Sequence, residues 1–192
     1  MPAGEFARGA STDYALGIEA VIPTRHAGLS IRADVGETRH ADRDSPPITA
    51  LDMFGNSLTF TTYVHNSLIW FDVGPEIERP AGRGTAFTFA TLGLLRVSPV
   101  VENALVSIFA PQSRPEPNGG WSAGVGGGWR FQTRPDSRLW VALEGECRTC
   151  PGRDYFGEVI ATTPPGGLTS FHATHGSVTT WGARVALLMS PP

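Results

Sequence analysis

Apolar side chains recur at every second position in segment after segment of this chain, and that period restricts it to β-structure. Tyr14, Leu16, Ile18, Ala20 and Ile22 share one face, with Ala15, Gly17 and Glu19 on the other. Leu29, Ile31, Ala33 and Val35 oppose Ser30, Arg32, Asp34 and Gly36. A third, weaker segment sets Leu58, Phe60, Thr62 and Val64 against Ser57, Thr59, Thr61 and Tyr63. Ile69, Phe71, Val73 and Ile77 alternate with Trp70, Asp72, Gly74, Glu76 and Glu78. In the fifth segment Phe87, Phe89 and Val97 share a face that Leu92 and Leu94 interrupt. Trp121, Ala123, Val125, Trp129 and Phe131 oppose Ser122, Gly124, Gly126, Gly128 and Arg130. Leu139, Val141 and Leu143 oppose Glu144, Glu146 and Arg148; Trp181, Ala183, Val185 and Leu187 oppose Thr180, Gly182, Arg184 and Ala186. Successive side chains of a strand point to opposite faces, so a period of two is the strand period.

Eight such segments are an even number, which lets an antiparallel sheet close on itself without edges. The expected fold is therefore all-β, a closed antiparallel up-and-down β-barrel of about eight strands. It is expected over residues 13–188, between a flexible N-terminal segment 1–12 and a C-terminal tail 189–192. At 192 residues the chain is one domain. Its 23 Gly and 16 Pro disfavour long helices and suit short strands and turns. No run approaches the roughly 18 apolar residues that a transmembrane helix needs, so any membrane contact is made by strands or at the surface. A net charge of −3 gives no electrostatic case for nucleic acid. All 15 basic residues are Arg, a bias that a GC-rich gene would produce without any functional cause.

Turn chemistry follows the same plan. Arg79-Pro80-Ala81-Gly82 and Arg134-Pro135-Asp136-Ser137 are expected as short turns between segments four and five and six and seven. Connections over 98–120 and 149–171 are expected to be long, and short turns at one end with long loops at the other is the asymmetry of outer-membrane barrels. Pro23 to Ala27 is shorter than that rule requires, and the Pro-rich 42–47 longer.

Alternation alone leaves two orientations. A lipocalin-like soluble barrel turns its apolar face inward around a small apolar ligand, whereas a membrane barrel turns it outward to lipid. Three features favour lipid. Gly17, Gly36, Gly74, Gly124, Gly126, Gly128 and Gly182 crowd the polar face, where a narrow interior filled by long charged side chains needs small neighbours. Glu19, Asp34, Asp72, Glu76, Glu78, Glu144 and Glu146 on that face stand against Arg32, Arg96, Arg130, Arg148 and Arg184, which reads as a hydrogen-bonded lumen charge network. Trp121 and Trp129 share the apolar face, about 20 Å apart along the axis of a strand tilted by ~40°, close to the spacing of two interfacial aromatic girdles; Trp181 joins them as an interfacial aromatic.

The last segment, Thr180-Trp181-Gly182-Ala183-Arg184-Val185-Ala186-Leu187, is similar to the terminal signal that outer-membrane assembly machinery recognises. With the Gly-rich 124–131 and the segment 139–146, the chain resembles the family of small eight-stranded bacterial outer-membrane β-barrel domains over about 14–188. It departs from the family in ending on Leu187, Leu188 and a Met-Ser-Pro-Pro tail in place of an aromatic residue. The resemblance implies a location in the bacterial outer membrane, the lipid bilayer as partner, the assembly machinery as a partner during biogenesis, and a monomer. It implies no catalytic residues and no cofactor, so the expected function is non-enzymatic: structural, adhesive or loop-mediated binding around a plugged polar lumen. Met1 to Ala10 lacks the basic start and apolar stretch of a secretory signal, which this location requires upstream of a mature chain.

Cys147 and Cys150 are the two cysteines, spaced C-x-x-C, and a local disulfide across a turn is expected in an oxidising envelope. The weaker alternatives are unpaired, incidental thiols and, last, a metal site completed by His172 and His175. His26, His40 and His65 are expected as solvated loop or rim residues. No Ser-His-Asp order or Gly-x-Ser-x-Gly element occurs, and no Lys follows the Gly124–Gly128 run as a phosphate loop would need. Residues 99–110 are apolar and expected either as a small helix or as extensions of the flanking strands.

Overall fold

The alternating segments pair in the simplest way available to them, each long strand beside the next in sequence. The computed structural model describes residues 2–3, 15–44, 47–51, 55–102, 116–134, 138–162 and 170–189. Their regular structure is all strand: β1 (Pro2–Ala3), β2 (Ala15–Pro23), β3 (Leu29–Asp44), β4 (Ile48–Leu51), β5 (Ser57–Phe60), β6 (Tyr63–Ala81), β7 (Gly84–Glu102), β8 (Asn118–Gln132), β9 (Leu139–Thr162) and β10 (Ser170–Met189). Seven long strands form one antiparallel sheet in the order β10-β9-β8-β7-β6-β3-β2, and the two-residue β1 adds to the free edge of β10. β4 and β5 form a separate two-stranded ribbon.

Four sequence expectations change here. The third alternating segment is not a strand of the main sheet. Its residues 57–60 pair with Ile48–Leu51 in the ribbon, and 63–64 already belong to β6. No backbone pairing joins β2 to β1 or β10 among the described residues, so the sheet is not closed there by hydrogen bonds. The expected loop 149–171 is mostly strand, since β9 runs on to Thr162 and β10 begins at Ser170; β7 likewise runs to Glu102, and 103–115 lie outside the described residues. Of the expected N-terminal segment 1–12, Pro2–Ala3 are described, and they pair with Thr179 and Thr180; Met189 belongs to β10.

Moving the third segment out of the sheet restores the turn asymmetry. The connections 24–28, 82–83 and 133–138 are short and lie at one end, where β10 also finishes. The strand ends joined across 45–62, 103–117 and 163–169 stand at the other, and the ribbon belongs to the first of these connections. Pro23 to Ala27 is therefore a short turn among short turns, and the Pro-rich stretch opens a long connection.

The sheet curls until its inner face meets itself. Arg32 on β3 reaches Glu144 on β9, four places away in the sheet order, at 2.8 Å. Arg184 on β10 reaches Glu19 on β2 at 3.3 Å. Inside, the contents are layered. Phe87, Phe89 and Ala142 cluster towards the short-turn end; Leu68, Trp70, Leu95, Val97, Cys150, Tyr155 and Val178 cluster further along. At the long-connection end Ile48 of the ribbon packs with Val64, Val101 and Phe60. The fifth segment is thus the reverse of its neighbours: Phe87, Phe89 and Val97 point inward, while Leu92 and Leu94 point outward. Two apolar faces on one strand carry no alternation to orient it.

Large inner rings demand bare neighbours. A Cβ at Gly36 would lie 2.3 Å from Trp70 Cζ2 and 2.8 Å from the Leu16 carbonyl oxygen; one at Gly126 would lie 2.4 Å from Phe89 Cζ. Backbone on one side and a packed indole on the other leave nothing at Gly36 to move. Gly36→Val is expected to lower stability by about 1–3 kcal/mol in urea unfolding. Gly145→Ala, whose new Cβ meets only the Gly182 carbonyl oxygen at 3.8 Å, is expected to leave the midpoint unchanged.

Candidate functional site

Four guanidinium groups and seven carboxylates occupy the middle of the inner face, brought there from β2, β3, β6, β8, β9 and β10. Arg32 is fully buried and contacts Glu19 (3.0 Å), Glu76 (3.0 Å) and Glu144 (2.8 Å). Arg130 contacts Glu76 (2.8 Å), Glu78 (3.4 Å) and Glu19 (3.7 Å). Arg184 contacts Glu19 (3.3 Å), Asp34 (3.0 Å) and Glu144. Eight residues expected in the charge network, Glu19, Arg32, Asp34, Glu76, Glu78, Arg130, Glu144 and Arg184, are therefore joined on this face. Arg148, also expected there, is a second centre that links Asp34 (3.5 Å) to the remaining two carboxylates, Asp72 (2.6 Å) and Glu146 (3.0 Å). Ser122 donates to Asp72 at 2.9 Å and Ser30 to Glu78 at 3.0 Å. Arg96, expected with them, points outward on β7 and takes no part.

The planar fork of five N–H donors lets one Arg serve three carboxylates with its flat faces still free for stacking, which an ammonium group does not offer. Ring faces cover what the carboxylates leave: Arg32 lies 4.0 Å from the Phe89 centroid, Arg130 4.4 Å from Phe87 and Arg148 4.4 Å from the Trp70 ring. These inward aromatics are the site residues that sequence reading missed. The conspicuous signal was Trp70, which sits in phase with Asp72 and Glu76 and out of phase with Ile69 and Phe71.

The outer face is the converse. Leu16 to Ile22 on β2, Leu29 to Val35 on β3, Ile69 to Ile77 on β6, Ala86 to Leu94 on β7, Trp121 to Phe131 on β8, Leu139 to Cys147 on β9 and Trp181 to Met189 on β10 present no charged side chain outward. Charge resumes at both limits, with Glu37, Arg39 and Arg96 towards the long connections and Arg25, Arg79, Arg83, Arg134 and Arg138 at the short turns. Trp121 and Trp129 lie towards opposite limits of the band, both exposed. Trp181 pairs with Cys147, which pairs with Val125, so it shares a row with the midpoint between those two.

The cysteine and histidine expectations fail on strand geometry. Cys147 and Cys150 stand three residues apart on the continuous β9, which puts their Cα atoms ~10 Å apart and their side chains on opposite faces, outside disulfide range. Both are free; Cys150 is buried and accepts a hydrogen bond from Arg153 Nε at 3.1 Å. Cys150 faces Val178 and Cys147 faces Trp181, whereas His175 faces Asp154 and His172 faces Ile160, so the four do not converge. Of the other histidines, His26 is exposed in its turn, but His40 and His65 are buried.

Removing one centre of the network strands its partners. Arg32→Met leaves Glu19, Glu76 and Glu144 short of a shared cation and is expected to cost about 3–5 kcal/mol in the unfolding free energy. Arg184→Gln, at a side chain a quarter exposed, is expected to cost less than half as much by the same measurement. No protein-family model, curated protein or solved structure matches this chain.

Proposed function

We propose that this chain is a bacterial outer-membrane β-barrel protein, non-enzymatic and monomeric, with a plugged polar interior and a binding or structural role carried at its long-connection end. The observation that carries this reading is the pairing of the two faces: a band free of outward charge around the sheet, over an interior of buried ion pairs. In water the arrangement is inverted and costly, because apolar side chains stay hydrated while charges are buried. In lipid both faces meet the solvent they need. The longer charge-free stretches match the 9–11 residues of a tilted membrane strand. A lipocalin-like pocket needs an apolar lining at the level where Arg32 and Arg130 stand.

Closure as an eight-stranded barrel belongs to the same reading. β1 runs antiparallel to β10 and brings the sheet to an even eight, so its two edges, β1 and β2, are antiparallel to each other and able to pair. The contacts of Arg184 with Glu19 and Asp34 draw those edges together. An interior of this size holds side chains and no aqueous channel, which leaves the ribbon and the long connections as the surface for a partner. The resemblance to small outer-membrane barrels rests on the same strands.

A single outward charge discriminates lipid from water. Val125 is 58% exposed at the middle of the band. Val125→Arg is expected to cost about 2–4 kcal/mol in urea unfolding from phospholipid vesicles, and Thr179→Arg, beyond the band, about 0–1 kcal/mol. In a soluble barrel both substitutions are neutral, and the chain is folded and monomeric in plain buffer; that result would overturn the proposal. Heat-modifiable migration on an unboiled gel is the accompanying expected signature.

A further inference from the structure

The short-turn end is cationic, and its charges are unspent. Arg25, Arg79, Arg83, Arg134 and Arg138 lie in or beside the turns 24–28, 82–83 and 133–138, all exposed. None of them has a carboxylate within ion-pair distance among the described residues, in contrast to the four arginines inside. The one described acid near them, Glu78, is engaged by Arg130 and Ser30. In sequence Asp136 falls between Arg134 and Arg138 and leaves the collar strongly positive.

Beside this collar the outer surface is grooved. A cavity of about 420 Å³ is lined by Arg83, Trp129, Phe131, Gln132 and Leu143. The Trp129 indole is held at its edge by the glycine turn: a Cβ at Gly84 would lie 2.3 Å from Trp129 Nε1. Arg79 pairs with Ala86, and Ala86 with Trp129, so Arg79 stands on the same outward row as the ring with only a methyl group between them. The site thus sets an apolar trough beside two unpaired guanidinium groups at the rim: Leu143 and Arg79 flank Trp129 on one row, and Phe131 lies one step nearer the turn that carries Arg83. Those are the two surfaces a phospholipid needs, apolar contact for its chain and cationic forks for its phosphate.

We infer that the groove at Trp129 and Leu143 is a binding site for an anionic phospholipid, whose phosphate is held by Arg83 and Arg79 and whose acyl chain lies along Trp129, Phe131 and Leu143. The inference rests on the membrane reading above and names the lipid which that reading leaves open. Guanidinium forks bind phosphate oxygens in bidentate fashion, and a headgroup of net negative charge satisfies a collar that a zwitterionic one leaves unbalanced. Each arginine at such a surface contributes about fivefold to the affinity for anionic lipid.

The test uses the full chain inserted in vesicles, with tryptophan fluorescence quenched by brominated phosphatidylglycerol or brominated phosphatidylcholine. Stronger binding of phosphatidylglycerol is expected, weakening as salt rises. Arg79→Gln with Arg83→Gln is expected to reduce that preference by about fivefold per arginine, while Arg79→Lys with Arg83→Lys keeps most of it. Arg96→Gln, at the opposite limit of the band, is expected to change nothing. An unchanged preference in the glutamine variant, or an equal loss in Arg96→Gln, overturns the inference. So does relief of phosphatidylglycerol quenching by inorganic phosphate at millimolar concentration, which would make the site one for free phosphate. Quenching by both lipids without preference overturns this inference alone; quenching by neither overturns the membrane reading with it.

Discussion

Arg32 is the fixed point of this structure. A guanidinium that is fully buried must have its charge matched, and Arg32 draws one carboxylate each from β2, β6 and β9 onto its two terminal nitrogens to do so. Those strands are not its neighbours alone; β9 lies four places away in the sheet. The sheet must therefore curl by the amount that closes 2.8 Å between Arg32 and Glu144. Arg184 repeats the demand from the other edge by reaching β2 and β3. Buried ion pairs add little net stability against an apolar substitute, but a broken one is expensive. What the network supplies here is register. A slip of one residue in any strand exchanges its two faces, and would carry Arg32, Arg130, Arg148 or Arg184 to the outer surface and aliphatic side chains to the inner one.

The same constraint accounts for the glycines and the aromatic rings. A guanidinium ringed by carboxylates at its edge still has two open faces, and Phe89, Phe87 and Trp70 cover one face each of Arg32, Arg130 and Arg148. A curled sheet a few strands around has little interior width, so rings of that size fit only over bare backbone. Gly36 under Trp70 and Gly126 under Phe89 supply it. Charge, ring and glycine form one unit, and none of the three is placed without the other two. Beyond the charged middle Leu68, Leu95, Val97, Tyr155 and Val178 form an apolar cluster, and the ribbon adds Ile48 further along. Buried polar residues accompany them there, among them His40, Thr62, His65 and Asn66.

Much of this was readable because a strand encodes its faces locally. For β2, β3, β6, β8, β9 and β10 the side of each residue follows from parity, and with it the positions of Glu19, Arg32, Asp34, Glu76, Arg130, Glu144 and Arg184. Parity fails where both faces carry the same chemistry. In β7, Phe87 and Phe89 inside and Leu92 and Leu94 outside are equally apolar, and taking the Phe87 face as the outer one carries Arg96 inside with the charges. In 57–64, Thr and Tyr lie opposite Leu and Phe too evenly to separate a ribbon from a sheet strand. Length was hidden too. Pro151-Gly152 reads as the start of a loop, yet Gly152 takes φ +61° beside a register shift opposite Gly176–Val178, and β9 continues through it as a bulge. That misreading produced the disulfide and the metal alternative together, because both need β9 to turn back at Cys150.

The two ends of the sheet differ in what they leave unsatisfied, and that difference gives the molecule a direction. At the short-turn end the backbone is economical, and the surplus is charge: five exposed arginines over a groove topped by Trp129. At the other end charge is mixed, with Glu37 held by Ser67 at 3.0 Å and Arg39 beside it, and the surplus is chain. β9 and β10 run well past the charge-free band, paired as far as Ser170 with Thr162, and the ribbon packs across the top of β6 and β7. Extending paired strands beyond the charge-free band costs main-chain entropy for every residue fixed, which the burial of Cys150, Tyr155 and Val178 against Leu68 and Trp70 offsets in part. A cationic rim of short turns at one end and a raised, strand-built platform at the other therefore offer surfaces of different chemistry.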